Sequence, residues 1–290
     1  MKMEKMNRAS IFTIERRKDF FSSFGSFLSD IENSVLRTST GNTMKVSLYL
    51  DHCLRYWPYR CGAESIATYL KDIGVDWEKP KEETEEGLKD ALLMMELYIN
   101  LLHWASVQDF QDKEDDEFNL TFSKNGVEYE TKRLIANAEY ILEQCCNMHV
   151  REFKPTEKSF PQYRISKRDS RVDAAIEAVP ELADVLLGYL DVRNVNNRKY
   201  KESALTAIYG YLEPKRKEYK GLSCSSVCDE FFASMNSFGI RHTKSQIRLQ
   251  GKKRIAVYDK LFKMGLYVLQ ATDVEEYKQE MKALREKKSE

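Results

Sequence analysis

The stretch from Leu88 to Ser106 constrains the fold most. Leu92, Leu93, Met95, Leu97, Ile99, Leu101, Leu102 and Trp104 fall on nearly every side of a helix drawn through them. A helix that is apolar all round needs neighbours all round. It is therefore expected at the centre of a first domain.

Helical periodicity recurs through the rest of the chain. Phe20, Phe21, Phe24, Phe27, Leu28 and Ile31 repeat at three- and four-residue spacing, which predicts a helix from about Ile14. Ser39-Thr40-Gly41-Asn42 breaks it. An apolar run from Val46 to Leu54 leads into the aromatic and arginine cluster Arg55 to Gly62. A helix follows from about Ala63 to Ile73, stopped by Gly74. Residues 78–87 read as an acidic linker and 109–117 as a charged loop. Lys124-Asn125-Gly126 lies in a weakly alternating stretch and signals a hairpin turn, with a loop running into a helix as the competing reading. Tyr129 to Cys146 returns to helical spacing.

Residues 148–167 read as a short hairpin, with Pro155 near its turn and Pro161 marking an edge strand. This places a boundary between an N-terminal helical domain, 1–147, and a C-terminal helical domain, 148–290, preceded by that hairpin. Helices are expected near 169–178, 180–191, 198–213, 222–238 and 252–287, the last broken near Ala271-Thr272-Asp273. The fold class is mainly α: a multi-helix protein with one or two short β-hairpins and two helical halves.

Composition removes several classes of function. The 290 residues carry 46 basic and 46 acidic side chains. A net charge of zero argues against a general nucleic-acid coating protein and leaves room for a local basic groove. The six cysteines have neither C-x-x-C spacing nor a histidine at zinc-finger distance. They read as reduced thiols packed as small hydrophobes; Cys224 and Cys228 share a helix face, the one place where a redox role is open. No metal site and no cofactor are implied. Charges interrupt the N-terminal segment, and no window approaches eighteen uninterrupted apolar residues, so neither a secretory signal nor a membrane span is expected and the location reads as cytoplasmic.

Arg241-His242 carries the most pointed chemistry. A forked permanent cation can hold a phosphate, and an imidazole can move a proton near neutral pH. Those are the needs of metal-independent RNA cleavage. Lys244 and Arg248 extend a phosphate-binding edge. Lys215-Arg216-Lys217 would join Arg241 and the Lys252-Lys253-Arg254 run in one basic patch if the fold brings them together. The plain alternatives are a helix C-terminal cap for Arg241 and solvated faces for the lysines. Arg193-Asn194-Val195-Asn196-Asn197-Arg198 reads as a polar loop. Tyr56-Trp57-Pro58-Tyr59-Arg60 either stacks on a base or partner or, more simply, buries its rings. His52 and His103 sit in apolar helical patterns and His149 beside a strand; all three read as core or near-core.

The segment from about Arg164 to His242 resembles a group of bacterial proteins in three phrases: Leu187-Gly188-Tyr189-Leu190, Leu212-Glu213-Pro214-Lys215-Arg216-Lys217-Glu218-Tyr219, and Phe231-Phe232 through Asn236 to Ile240-Arg241-His242. The last phrase also looks like abortive-infection proteins of phage defence whose C-terminal half is a HEPN-type helical domain. The resemblance implies a helical RNA-cleaving module that acts as a dimer. The chain departs from that pattern in lacking an arginine followed a turn or more later by a histidine on the same helix, and in placing Thr243-Lys244 after the Ile-Arg-His phrase. It implies Arg241 and His242 as catalytic residues, with Lys215, Arg216, Lys244 and Arg248 as the RNA-binding rim. A non-catalytic interaction or scaffold protein, binding a partner protein or a second copy, is the alternative from another class. A DNA-binding regulator is a third, without a clear recognition helix.

Overall fold

The computed structural model describes residues 8–37, 41–76, 84–107, 122–153, 159–240 and 251–271, with side chains from Asp19 onward apart from Lys252. The chain divides into two compact units, 1–167 and 168–290. Both are helical, and the described strands form two small antiparallel hairpins.

The N-terminal unit begins with α1 (Arg8–Asn33), the hairpin β1 (Val35–Arg37) and β2 (Thr43–Lys45), α2 (Val46–Leu54) and α3 (Ile66–Asp72). The β1–β2 hairpin was not anticipated; three residues per strand are too few to show alternation. The central helix α4 spans Glu85–Val107 and packs against α1, α2, α5 (Lys124–Ile141) and β4 (Gln162–Lys167). Its all-round apolar surface is covered accordingly: Leu92, Leu97, Ile99 and Leu101 are all buried.

Lys124-Asn125-Gly126 makes no hairpin turn. The Val127 amide bonds to the Ser123 carbonyl at 3.0 Å and starts α5 there. Val127, Thr131, Leu134, Ile135 and Ala138 then form its buried stripe. That stripe outweighs the turn preference of Asn-Gly, and a glycine in the first helical turn costs little. A π-helical turn at Leu142–Cys146 ends at Asn147, which takes the left-handed conformation (φ 52°) that asparagine tolerates.

The second hairpin pairs β3 (Met148–Phe153) with β4 in the register Val150 to Ile165 and Arg151 to Arg164. Pro161 precedes β4, and Pro155 lies outside the described residues. Two polar side chains of α4, one turn apart, hold the edge of β4 that faces away from β3. The Asn100 amide donates to the Tyr163 carbonyl at 2.6 Å and accepts from the Tyr163 N–H at 2.8 Å. Glu96 Oε2 accepts from the Ile165 N–H at 2.7 Å. These bonds make the hairpin part of the N-terminal unit. The two units therefore part after Lys167, and not before Met148 where the sequence suggested.

The C-terminal unit runs through α6 (Ser170–Ala178), a 3-10 turn at Pro180–Leu182, α7 (Ala183–Leu190), a 3-10 turn at Val192–Asn194, α8 (Arg198–Leu212), α9 (Arg216–Tyr219), α10 (Ser225–Ser237) and α11 (Gly251–Leu269). Asp169 caps α6 and Asn197 caps α8 through side-chain oxygens. The core gathers Leu186, Tyr189, Leu205, Ile208, Phe231, Phe232, Tyr258, Phe262 and Leu266. A Cβ on Gly265 would lie 3.0 Å from an Ile208 methyl, so α11 approaches α8 closely there. The expected final helix is seen to Leu269; Thr272 and Asp273, where a break was expected, lie outside the described residues.

Candidate functional site

Contacts between α8 and α11 advance in step along both helices. Glu202 meets Arg254, Lys201 meets Asp259, and Ile208 meets Gly265. The two helices therefore run in the same direction and begin at the same end. A helix N-terminus carries a partial positive charge, so this end of the unit is electropositive before any side chain is counted.

The side chains add to it. Arg198 opens α8, and its Nε donates to Glu202 Oε1 at 3.0 Å. Arg254, in the first turn of α11, donates from Nη2 to the same oxygen at 2.9 Å. The buried Tyr258 donates its hydroxyl to that oxygen as well, and Arg254 Nε donates to the Tyr258 oxygen. One carboxylate oxygen thus draws together two guanidiniums from helices 52 residues apart in sequence. Burial alone would push the Glu202 carboxyl up; the Tyr258 and Arg198 hydrogen bonds and the two arginine charges hold it below the usual carboxylate range. Burial and the bond to Glu202 push the Tyr258 phenol up, so it stays a donor. Exposed Lys199 and Lys253 flank the pair, and exposed Arg193 stands in the turn leading into α8, beside the Asp191 carboxylate at 3.3 Å.

A second cluster adjoins the first, because Lys201 and Glu202 are consecutive, as are Tyr258 and Asp259. Lys201 is buried, and its Nζ lies 2.5 Å from Asp259 Oδ1. Tyr189 donates to the same Asp259 oxygen at 3.0 Å, and its ring lies 4.3 Å beneath the Lys201 ammonium. Tyr189 in turn stacks on Phe262 at 3.7 Å between ring centroids. Burial and the neighbouring Asp259 carboxylate push the Tyr189 phenol far up.

The residues singled out from the sequence fare differently. Lys215 donates to the Tyr211 hydroxyl at 2.5 Å and sits over that ring. Arg216 pairs with Asp229 at 2.8 Å and lies over the Phe232 ring. Both follow the C-terminal end of α8. Arg254 sits at its start, about 15 Å away by the rise of a helix, so the expected merger of the Lys215 and Lys252 runs does not form. Ile240 closes α10: its N–H bonds to the Met235 carbonyl at 3.1 Å, while Gly239 takes a left-handed φ of 62° and bonds to Asn236. This is the glycine-dependent Schellman closure. Arg241, His242, Lys244 and Arg248 come next in the chain and lie outside the described residues.

The other motifs settle into the core. Trp57 is buried edge-on against Tyr59 and Tyr69, and Tyr59 donates to the Phe160 carbonyl at 2.5 Å. His103 stacks on Tyr163 at 3.6 Å, and burial lowers its imidazole to about 4. His52 lies edge-on to Tyr56, and His149 accepts from Arg151. Cys224 and Cys228 are buried, and burial raises the Cys228 thiol, which leaves it poorly suited to redox exchange. Among the described residues no group of three or more His, Cys, Asp or Glu side chains could hold a metal ion, and no helix is long and apolar enough to cross a membrane.

Sequence reading missed Glu202, Tyr189 and Asp259. One signal was present: Lys201 stands in phase with Ala204, Leu205, Ile208 and Leu212, where an apolar residue belongs. The zero net charge also concealed an asymmetry. The C-terminal unit carries 23 basic and 18 acidic residues, leaving 23 and 28 to the N-terminal unit. Between Arg193 and Arg254 there are fourteen basic residues and five acidic ones.

No protein-family model matches this chain, and comparison with curated proteins and with solved structures finds no match either.

Proposed function

We propose that the C-terminal unit binds RNA through the basic end shared by α8 and α11, as the HEPN-like module of an abortive-infection-type defence protein. The observation that carries this reading is the gathering of Arg193, Arg198, Lys199, Lys253 and Arg254 at one end of a unit with a basic surplus. A phosphodiester backbone releases counterions on meeting such a surface. In this reading Arg241 holds a phosphate, His242 carries the proton, and Lys244 and Arg248 continue the edge toward Gly251. Lys215 and Arg216 form a separate contact at the far end of α8.

The test is fluorescence anisotropy of a single-stranded oligoribonucleotide across a salt series. Binding should weaken linearly in log–log form. Replacing the exposed Arg198, Lys199 and Lys253 with alanine should reduce the slope by about two to three. Binding without salt dependence, or variants that bind like the wild type, would refute it. Cleavage of total RNA in EDTA beside the Arg241→Ala/His242→Ala variant tests the catalytic assignment directly.

One observation favours the interaction-protein reading. Tyr129 and Tyr140, 70% and 65% exposed, lie three turns apart on one face of α5. Light scattering after size exclusion tests it, because Tyr129→Ser/Tyr140→Ser should return any dimer to monomer.

A further inference from the structure

The bonding at Glu202 is lopsided in a way that structural ion pairing does not require. Arg198 Nε, Arg254 Nη2 and the Tyr258 hydroxyl all converge on Oε1. Oε2 carries no hydrogen bond among the described residues, although the side chain is a quarter exposed. A carboxylate between two arginines ordinarily gives one oxygen to each arm of a guanidinium fork. Here Arg198 uses only its Nε, on one oxygen. The other oxygen and the Arg198 terminal amines face outward together, on the electropositive end where a phosphate chain would lie.

Resting on the RNA-binding reading above, we propose that Glu202 is the general base of an RNA transphosphorylation at this end of α8. Oε2 takes the proton of a ribose 2′-hydroxyl. The 2′-oxygen forms a bond to the adjacent phosphorus, the bond from phosphorus to the 5′-oxygen breaks, and that oxygen takes a proton from water. The products are a 2′,3′-cyclic phosphate and a 5′-hydroxyl end. Arg198 and Arg254 hold the non-bridging oxygens as charge builds on them. Tyr258 keeps Glu202 in place by its bond to Oε1 and is a positioning residue. The carboxyl is held ionised by its neighbours, so it is ready to accept a proton across the neutral range.

The test uses the full-length protein and an oligoribonucleotide of about 20 nucleotides, beside the same sequence carrying 2′-O-methyl groups. Wild type should cleave the first to cyclic-phosphate ends and leave the second intact. Glu202→Gln should bind as tightly or more tightly, since a negative charge leaves the surface, while its cleavage falls at least 100-fold, the range expected for a lost general base. Cleavage by wild type should stay level from pH 8 down to pH 5. Glu202→Gln cleaving within a few-fold of wild type overturns the proposal, as does a rate that titrates near 6.5, which would give the base to a histidine. Binding by wild type without cleavage overturns it and leaves the RNA-binding reading standing; absence of binding overturns both. If circular dichroism shows Glu202→Gln unfolded, the 2′-O-methyl comparison and the wild-type pH profile decide.

Discussion

Asp259→Ala should destabilise the C-terminal unit far more than Lys201→Met, although each removes one half of the same ion pair. Lys201 is 5% exposed and Asp259 is 45% exposed, with 2.5 Å between Nζ and Oδ1. Removing the carboxylate leaves a buried ammonium with only the face of Tyr189 for company. Breaking a fully buried pair in this way costs about 3–5 kcal/mol. The half-exposed Asp259 position admits water, which brings the expected loss to about 2–3 kcal/mol. Lys201→Met takes away the buried charge itself and fills the space with apolar atoms, while the remaining carboxylate is solvated and keeps its bond from Tyr189. Its cost should be below about 1 kcal/mol. The double variant should resemble Lys201→Met, giving a coupling of about 1.5 kcal/mol or more in a double-mutant cycle. All three tryptophans, at 57, 77 and 104, precede residue 168. Tryptophan fluorescence therefore reports the N-terminal unit and should not move. Urea unfolding followed by circular dichroism, with hydrogen exchange of α8 and α11 peptides, reports the change. Equal losses for the two single variants, or simple additivity in the double, would refute the reasoning.

Three further outcomes follow from the packing. Burial holds the His103 imidazole at about 4 against an ordinary 6.5. The unfolded chain takes up a proton that the folded unit refuses, so this contribution is complete above pH 6.5 and is lost as pH falls toward 4, an effect on the order of 3 kcal/mol. Urea midpoints read by tryptophan fluorescence should fall over that window, and His103→Phe should flatten the fall; an unchanged profile would remove His103 as the cause. A Cβ on Gly188 would lie 1.7 Å from the Tyr200 hydroxyl, so Gly188→Ala should lower stability by about 1–3 kcal/mol, and Tyr200→Ala should abolish that increment in a thermal melt. Asn100→Ala strips the Tyr163 N–H and carbonyl of their helix-side partners; a loss of about 3 kcal/mol is expected in tryptophan-monitored urea unfolding, and a loss under about 0.5 kcal/mol would show that solvent satisfies them.

The helices that dominate the fold were legible because their apolar residues repeat with the helical period. α4 announced its central place by having no polar side, and residues 148–167 announced a hairpin by turn chemistry between alternating runs. Asn125-Gly126 misled because turn preference is local, whereas the stripe from Val127 to Ala138 extends over several turns. The domain boundary was misplaced for a related reason: what ties the hairpin to α4 is Glu96 and Asn100, and two polar residues in an apolar helix look like interruptions until their backbone partners are seen. The basic end was illegible as a site because it is made by pairing α8 with α11. The run at Lys215 was conspicuous in sequence, yet it is the scattered Arg193, Arg198 and Lys199 that meet the run at Lys253.

The bonds from Glu96 and Asn100 to β4 also set an order of assembly. Their partners lie 69 and 63 residues further along the chain. As the chain leaves the ribosome, α4 can form and collect α1 and α2 long before β4 exists, and contacts across such a separation form late. Until Lys167 has emerged, the nascent unit keeps a carboxylate and an amide on a face destined for burial, and that face must stay wet. A fragment cut at residue 147 would be held permanently at that stage, with all its helices and no finished core. A cut after Lys167 would release a unit able to close.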